Sequence, residues 1–190
     1  NHHTMPTSEA ENMQAVKNGD LQQLATLYER YRQPLIGYFF RRTRGQEALS
    51  QDLVQTVFMR VLRYRNSYRD GAAFRPWLFQ LARNVLYDEW RQPMANAISV
   101  DQVEVAQEGE LGIQQQMERR EKEDYLKQAL QQLPTESQEL IELCKYQALP
   151  YREVGQMLGI SEGNVKVKLH RAVKKLAQVY RQLNPEGTEA

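Results

Sequence analysis

Apolar residues recur at intervals of three and four along almost the whole chain, and the recurrence lapses at length only between Pro93 and Ile113. A period near 3.6 lines one face of a helix, whereas a half-buried strand needs alternation. Alternating Val, Ile and Thr runs are nearly absent, and Leu, Gln, Glu, Arg and Ala fill the long stretches; most of these are strong helix formers. The expected fold class is all-α. Two small helical domains are joined by an acidic flexible linker, and the second ends in a helix-turn-helix. With 190 residues, the chain is long enough for one sizeable core or two small ones.

Local signals place the elements. Ser8-Glu9-Ala10-Glu11 reads as a capping box opening a short helix that Asn18-Gly19 stops. Asp20 caps a second helix, with Leu21, Leu24, Leu27, Tyr28 and Tyr31 at helical spacing. Pro34 is predicted to kink or restart it, and the run closes in a cationic cluster, Arg41, Arg42 and Arg44. From Glu47 to Tyr64 one stripe holds Leu49, Leu53, Val54, Val57, Phe58, Val61 and Leu62. After a polar loop to Ala73, a fourth helix runs from Phe74 to Gln92, and Pro93 closes it.

The second half repeats the logic. Gln114–Leu133 reads as a helix stopped by Pro134, and Thr135-Glu136-Ser137-Gln138 as a capping box for a helix to about Gln147. Pro150 suits a first helical residue. Gly159 ends the segment Tyr151–Leu158, and Ser161 caps a long last helix with the stripe Val165, Leu169, Ala172, Val173 and Leu176. The expected boundaries are a tag remnant at 1–4, domains at 5–92 and 114–183, a linker at 93–113 and a loose tail at 184–190.

Charge is unevenly placed. Met5–Gln92 carries 13 basic and 9 acidic residues, Pro93–Ile113 carries 4 acids and no base, and Gln114–Ala190 carries 12 and 11. Within the last stretch, Ser161–Gln182 has 6 basic residues against 1 acid. Two cationic surfaces on either side of an acidic tether suit a polyanion gripped at two places. No apolar run approaches the ~20 residues of a membrane span, and no signal pattern is present, which predicts a cytoplasmic protein. Cys144 is the only cysteine, so an internal disulfide or a cysteine zinc cluster is excluded. It reads as a buried structural thiol beside Leu140 and Leu143. No metal site, cofactor or small-molecule substrate is expected. No glycine-rich phosphate loop, His-Glu-x-x-His or serine elbow points to an enzyme.

Two constellations carry chemistry. Tyr151 to Leu169 has the layout of a helix-turn-helix, with Val154, Leu158, Ile160, Val165 and Leu169 placed to lock the helices together. The N-terminal face of the second helix would enter a major groove, offering Asn164, Lys166, Val167, Lys168, His170 and Arg171 to bases and phosphates. Glu162 is placed either to accept from a cytosine amino group or to cap its own helix. In the front half, Arg63, Tyr64, Arg65, Tyr68, Arg69, Phe74, Arg75, Trp77 and Arg83 interleave cations with aromatics, the pattern of a single-strand binder. Phe74 and Trp77, at a helix start, read better as core.

These residues bring a resemblance into view. Asp52-Leu53-Val54-Gln55-Thr56-Val57-Phe58, Phe74-Arg75-Pro76-Trp77-Leu78 and Ala82-Arg83-Asn84 are similar to region 2 of the extracytoplasmic-function, or group IV, sigma factors of the sigma-70 family. The helix-turn-helix, ending His170-Arg171-Ala172-Val173-Lys174-Lys175-Leu176, resembles their region 4.2. The resemblance spans nearly all of residues 9–183 and implies an alternative sigma factor whose partners are core RNA polymerase and promoter DNA. It implies that Asp52, Gln55 and Phe58 meet the β′ clamp helices. Arg65, Asn66, Tyr68, Arg69, Arg75, Trp77, Arg83 and Asn84 would open and hold the −10 element, the loop 66–73 taking a flipped base. Glu162, Asn164, Lys166, Val167, Lys168, His170, Arg171 and Lys174 would read the −35 element beside the β flap. An anti-sigma factor, often membrane-anchored in the family, is a further implied partner.

The family usually has acids flanking the Asp-Leu-Val-Gln core, where this chain has Gln51 and Thr56, with Ser50 nearby. A phosphate on Ser50 or Thr56 would restore negative charge, while the plainer reading is that Asp52 suffices. Two rivals stand beside the sigma reading. A stand-alone helix-turn-helix regulator leaves the aromatic-basic front half unexplained. A sequestering interaction protein leaves the cationic last helix unexplained.

Overall fold

The computed structural model describes residues 8–92 and 113–185. The chain divides into two compact units, Asn1–Asp101 and Gln102–Ala190. The expected tag remnant, the expected acidic linker 93–113 except Ile113, and most of the tail lie outside the described residues; Ile113 belongs to a helix instead. All eight helices among those residues are α-helical through most of their length, and no strand occurs there.

The first unit holds α1 (Glu9–Lys17), α2 (Leu21–Arg42), α3 (Glu47–Tyr64) and α4 (Phe74–Arg91). The capping box forms as the sequence predicts: Glu11 N donates to Ser8 Oγ at 3.2 Å and Ser8 N to Glu11 Oε2 at 2.7 Å. Asp20 accepts from Gln22 N at 3.0 Å. Pro34 neither stops nor restarts α2, which runs unbroken from Leu21 to Arg42. An interior proline costs about 3 kcal/mol. Tyr31, Leu35, Tyr38 and Phe39 bury their side chains around it, and each such burial is worth roughly 1.5–3 kcal/mol, so packing overrides the local penalty.

The core of this unit lies between α2, α3 and α4. Tyr38 meets Phe79 edge-on at 5.6 Å and Tyr31 meets Phe74 at 5.4 Å, the geometry aromatic rings prefer. Val54, Val57 and Val61 of α3 fill the middle, and Met13 and Val16 of α1 close one side. The expected cationic cluster at the end of α2 is broken up. Arg42 is buried, with its guanidinium 5.2 Å from the centre of the Trp90 ring, because the last turn of α2 packs against the end of α4.

The second unit holds α5 (Ile113–Gln131), α6 (Thr135–Ile141), α7 (Tyr151–Leu158) and α8 (Glu162–Leu183), and α8 packs against the other three. The predicted capping box at Thr135 is not formed. Pro134 takes the cap position and Thr135 is already helical, one residue too deep for its side chain to reach back. Gln138 instead donates from Nε2 to Leu133 O at 2.8 Å. The helix expected to reach Gln147 widens into a π turn, Glu142–Tyr146. The buried Gln147 there donates from Nε2 to Glu142 Oε1 at 3.0 Å, and Ala148 turns the chain at φ 50°. Pro150 stands at the cap of α7 rather than inside it.

Candidate polymerase and nucleic-acid interfaces

One face of α3 is left open. Asp52, Gln55 and Met59 are exposed, Met59 by 70%, and their spacing of three and four puts them on one side of the helix. Phe58, expected on this face, is a core residue: it is 7% exposed and its ring meets Tyr28 edge-on at 4.9 Å. Ser50 is wholly buried, donating to Gln46 O at 2.6 Å and lying 3.3 Å from Thr43 Oγ1. A doubly charged phosphate has no place there without opening the helix pair, which overturns the expectation for Ser50. Thr56 is half-buried at the edge of the open face, and its hydroxyl donates to Asp52 O at 3.1 Å.

The loop after α3 folds back on itself. A 3-10 turn, Arg65–Ser67, brings Tyr68 inward. Tyr68 is 1% exposed, its hydroxyl donates to Ala72 O, and its ring packs at 5.3 Å on Trp77. Burial pushes its phenol pKa up. Tyr68 therefore shapes the loop from within and offers no face to a base, contrary to expectation. Lys17 of α1 clamps the loop, donating to Tyr68 O at 3.0 Å and Asp70 Oδ1 at 2.6 Å. Asn66 and Arg69 are exposed. Arg65 is half-buried and donates to Leu62 O at 2.7 Å. Phe74 is core, as read, and Trp77 is half-buried. Along α4, Arg75 lies over Phe79 at 5.7 Å and Arg83 over Tyr87 at 4.7 Å. Asn84 is exposed and accepts from Gln80 Nε2 at 3.2 Å.

In the second unit the helix-turn-helix rests on two glycines. Gly159 takes φ 69° at the end of α7, a conformation that strains other residues. Gly155 lies under the turn, where a Cβ would come 2.7 Å from Ile160 O. Val154 and Val165 are fully buried and Leu169 nearly so. Ser161 Oγ accepts from Asn164 N at 3.2 Å and opens α8.

The outer face of α8 carries Glu162, Asn164, Lys166, Val167, His170, Arg171 and Lys174, all exposed, with Lys168 half-exposed. Two of its cations are already engaged. Lys166 pairs with Glu162 at 2.8 Å one turn back, and Lys168 pairs with Glu136 of α6. The Lys166 hydrogen bond and charge hold the Glu162 carboxyl below its ordinary value. Val173, expected in the apolar stripe, is 37% exposed. Ala172, next to it in the expected stripe, is buried.

Residues 27–94 match the family described as Sigma-70 region 2, and residues 123–176 match Sigma-70, region 4. The chain is 32% identical over 152 residues to the ECF RNA polymerase sigma factor SigF of Caulobacter vibrioides, covering 78% of this chain and 80% of that one. The chain is an ECF sigma factor of the sigma-70 family. It is also 29% identical over 177 residues to RNA polymerase sigma factor CarQ of Myxococcus xanthus, covering 92% of this chain and 98% of that one. In fold it is similar to CnrH, solved in complex with the cytosolic domain of CnrY (TM-score 0.66, 22% identity, 90% and 96% covered). It is similar also to RpoE of Bartonella quintana, solved with the anti-sigma factor NepR (TM-score 0.62, 21% identity, 88% and 98% covered). The chain is thus an alternative sigma factor directing transcription, and a stand-alone regulator is not favoured.

Met59 and Gly155 of this sigma factor lie outside the functional patterns of its sequence. Met59 belongs to the open face of α3, and the signal was available: Phe58 falls within the Leu53–Val54–Val57–Val61 stripe, leaving the next residue outside it. Gly155 had no local signal, because the carbonyl it must admit belongs to the following turn.

Proposed function

We propose that the two units divide the work of promoter recognition. The first docks on the clamp helices of the polymerase β′ subunit through Asp52, Gln55 and the edge holding Thr56. It holds the opened −10 element with Asn66, Arg69, Arg83 and Asn84. The second lays α8 in the major groove of the −35 element, next to the β flap. The observation that carries this reading is the row of Asn164, Val167, His170, Arg171 and Lys174 left exposed on a helix whose N-terminus is capped and whose opposite side is core. Backbone amides at a helix N-terminus favour a phosphate, and the side chains behind them reach base edges.

The role is one of binding and positioning, with no chemical step assigned to the chain itself. No group of metal-ligating side chains occurs among the described residues, and no helix among them is long and apolar enough to cross a membrane. A cytoplasmic site of action follows from the partners proposed. RpoE of Bartonella quintana was solved with the anti-sigma factor NepR and CnrH with the cytosolic domain of CnrY; by the shared fold, an anti-sigma factor is proposed for this chain too.

The test is reconstitution. The purified chain is mixed with bacterial core polymerase, passed over gel filtration and scored for run-off transcription on genomic promoter fragments. Co-elution with promoter-specific transcripts is expected. Failure to bind core, both by the wild type and by Thr56→Glu, would refute the reading.

A further inference from the structure

The loop between α3 and α4 is two turns joined end to end. Tyr68 N donates to Arg65 O at 3.2 Å and closes the first, and Ala72 N donates to Arg69 O at 3.0 Å and closes the second. Such a bond fixes the two residues inside its own turn. The torsions of Tyr68 and Arg69, at the ends of the two turns, are set by neither. Two contacts span this junction. Tyr68 OH donates to Ala72 O from within the loop. From outside it, Lys17 Nζ takes one acceptor from each turn, Tyr68 O at 3.0 Å and Asp70 Oδ1 at 2.6 Å. Asn66 stands in the first turn and Arg69 in the second, both exposed.

Lys17 can serve as a fixed post because α1 is itself held along its length. Met13 and Val16 are wholly buried. At the far end of α1, Glu9 accepts from the Tyr31 hydroxyl and pairs with Arg30 at 2.9 Å. The Tyr31 ring meets Phe74 at 5.4 Å, and Phe74 meets Tyr68 at 6.2 Å, so the loop and α1 stand on one aromatic floor. The Lys17 side chain is only 23% exposed. An ammonium has three donors, and its hydrogen bonds are stronger than neutral ones, more so where water is partly excluded.

We propose that Lys17 is a positioning residue for base selection in the −10 element: by holding Tyr68 O and Asp70 together it sets the spacing of Asn66 and Arg69, between which one base of the opened strand is seated. The role rests on the assignment of Asn66 and Arg69 to that element. Lys17 touches no DNA and acts through the two turns it joins. Seating an unstacked base has a cost that the pocket must offset. A pocket ordered in advance loses nothing to ordering when the base arrives, and its fixed width rejects bases that do not fit. With the tie removed, the two turns hinge at Tyr68 and Arg69, and the pocket adapts to any base equally poorly.

The test uses holoenzyme assembled from core polymerase and the full chain. Fork-junction DNAs randomised in duplex and single strand are first enriched by the wild-type holoenzyme. One enriched fork is then made with each of the four bases at each single-stranded position, its duplex unchanged so that the −35 contact is constant. Wild-type holoenzyme should prefer one base by about tenfold at the position the loop holds, the ordinary discrimination at a specified base. Lys17→Met should reduce that preference to about twofold, as expected for a pocket no longer ordered in advance. Preferences at the other positions, and binding to core polymerase, should stay as in the wild type. Lys17→Arg, which keeps a cation with several donors, should retain most of the preference. In the free chain, Lys17→Met should speed amide exchange at Tyr68 and Ala72 severalfold and leave α2 and α3 protected. Thermal unfolding is measured for each variant, and Lys17→Gln, too short to reach both acceptors, decides the matter if Lys17→Met does not fold. A uniform loss over all bases and positions, or an unchanged preference in the folded variant, would overturn the inference. Absence of any base preference on the single strand in the wild type, with core and duplex binding intact, would instead overturn the assignment of the loop on which it rests.

Discussion

The space that a side chain on Gly155 would need is held by the carbonyl of Ile160, 2.7 Å from where a Cβ would sit. Ile160 N in turn donates to Gly155 O at 2.9 Å, so the two residues are bound face to face across the turn of the helix-turn-helix. Gly155→Ala forces the turn away from α7. Overpacking of this kind costs about 1–3 kcal/mol. The melting temperature of the second unit should fall, and affinity for −35 duplex should drop with it, while melting of the first unit is unchanged. Calorimetry on the full chain would resolve the two transitions.

Neighbouring positions on α3 should separate stability from docking. Phe58→Ala removes a buried ring, a change that costs about 3–5 kcal/mol, so it should lower the melting temperature sharply. Met59→Ala removes a side chain that is 70% exposed. It should leave melting within a degree or two while weakening core polymerase binding severalfold, since a central apolar side chain within a polar rim contributes disproportionately to an interface. Fluorescence titration of core polymerase beside thermal melts would check both. Normal core affinity for Met59→Ala would remove that residue from the interface.

Phosphate chemistry near Asp52 now has one candidate position. Thr56→Glu places a carboxylate on the edge of the open face and should raise affinity for core polymerase. Ser50→Asp puts a charge at a wholly buried site and should unfold or strongly destabilise the first unit. Intact mass of the chain purified from its host should show modification, where present, on Thr56 and none on Ser50. If Thr56→Glu binds core no better than the wild type, a regulatory phosphate at this position is ruled out.

Cys144 is 7% exposed. Burial raises its thiol from the ordinary 9.0 to about 11, with Lys145 pulling weakly the other way. The folded thiol therefore stays protonated where an unfolded one ionises. Its contribution to stability is intact below pH 9 and is lost as the pH rises from about 9 toward 11, because the unfolded state releases its proton first. At pH 8 a maleimide should label the native chain slowly and the denatured chain at once. Rapid native labelling would show that the π turn around Cys144 opens readily.

Much of the fold was legible along the chain because its signals are local. Ser8, Asp20 and Ser161 cap helices with hydrogen bonds to amides two or three residues on. Gly159 takes the left-handed turn that its position announces. The motifs around Asp52, Trp77, Asn84 and the helix-turn-helix sufficed to indicate the family. The cap at Thr135 failed through a one-residue shift. Pro134 already held the extended cap conformation, and two adjacent residues competing for one cap cannot be ranked without the packing on either side.

What the sequence determined by itself was the number and order of helices, the two-part division and the chemistry each part offers, all set by periodicity, capping and charge within a few turns. What only the tertiary structure decided was which boundary residues are covered. Phe58 against Met59, Ser50 against Thr56, Tyr68 within its loop and Arg42 beneath Trp90 each sit at the margin of a helical stripe or a turn. A helical period assigns such positions to within about one residue. Their burial depends on Tyr28, Thr43, Trp77 and Trp90, supplied by other segments whose approach no local pattern records.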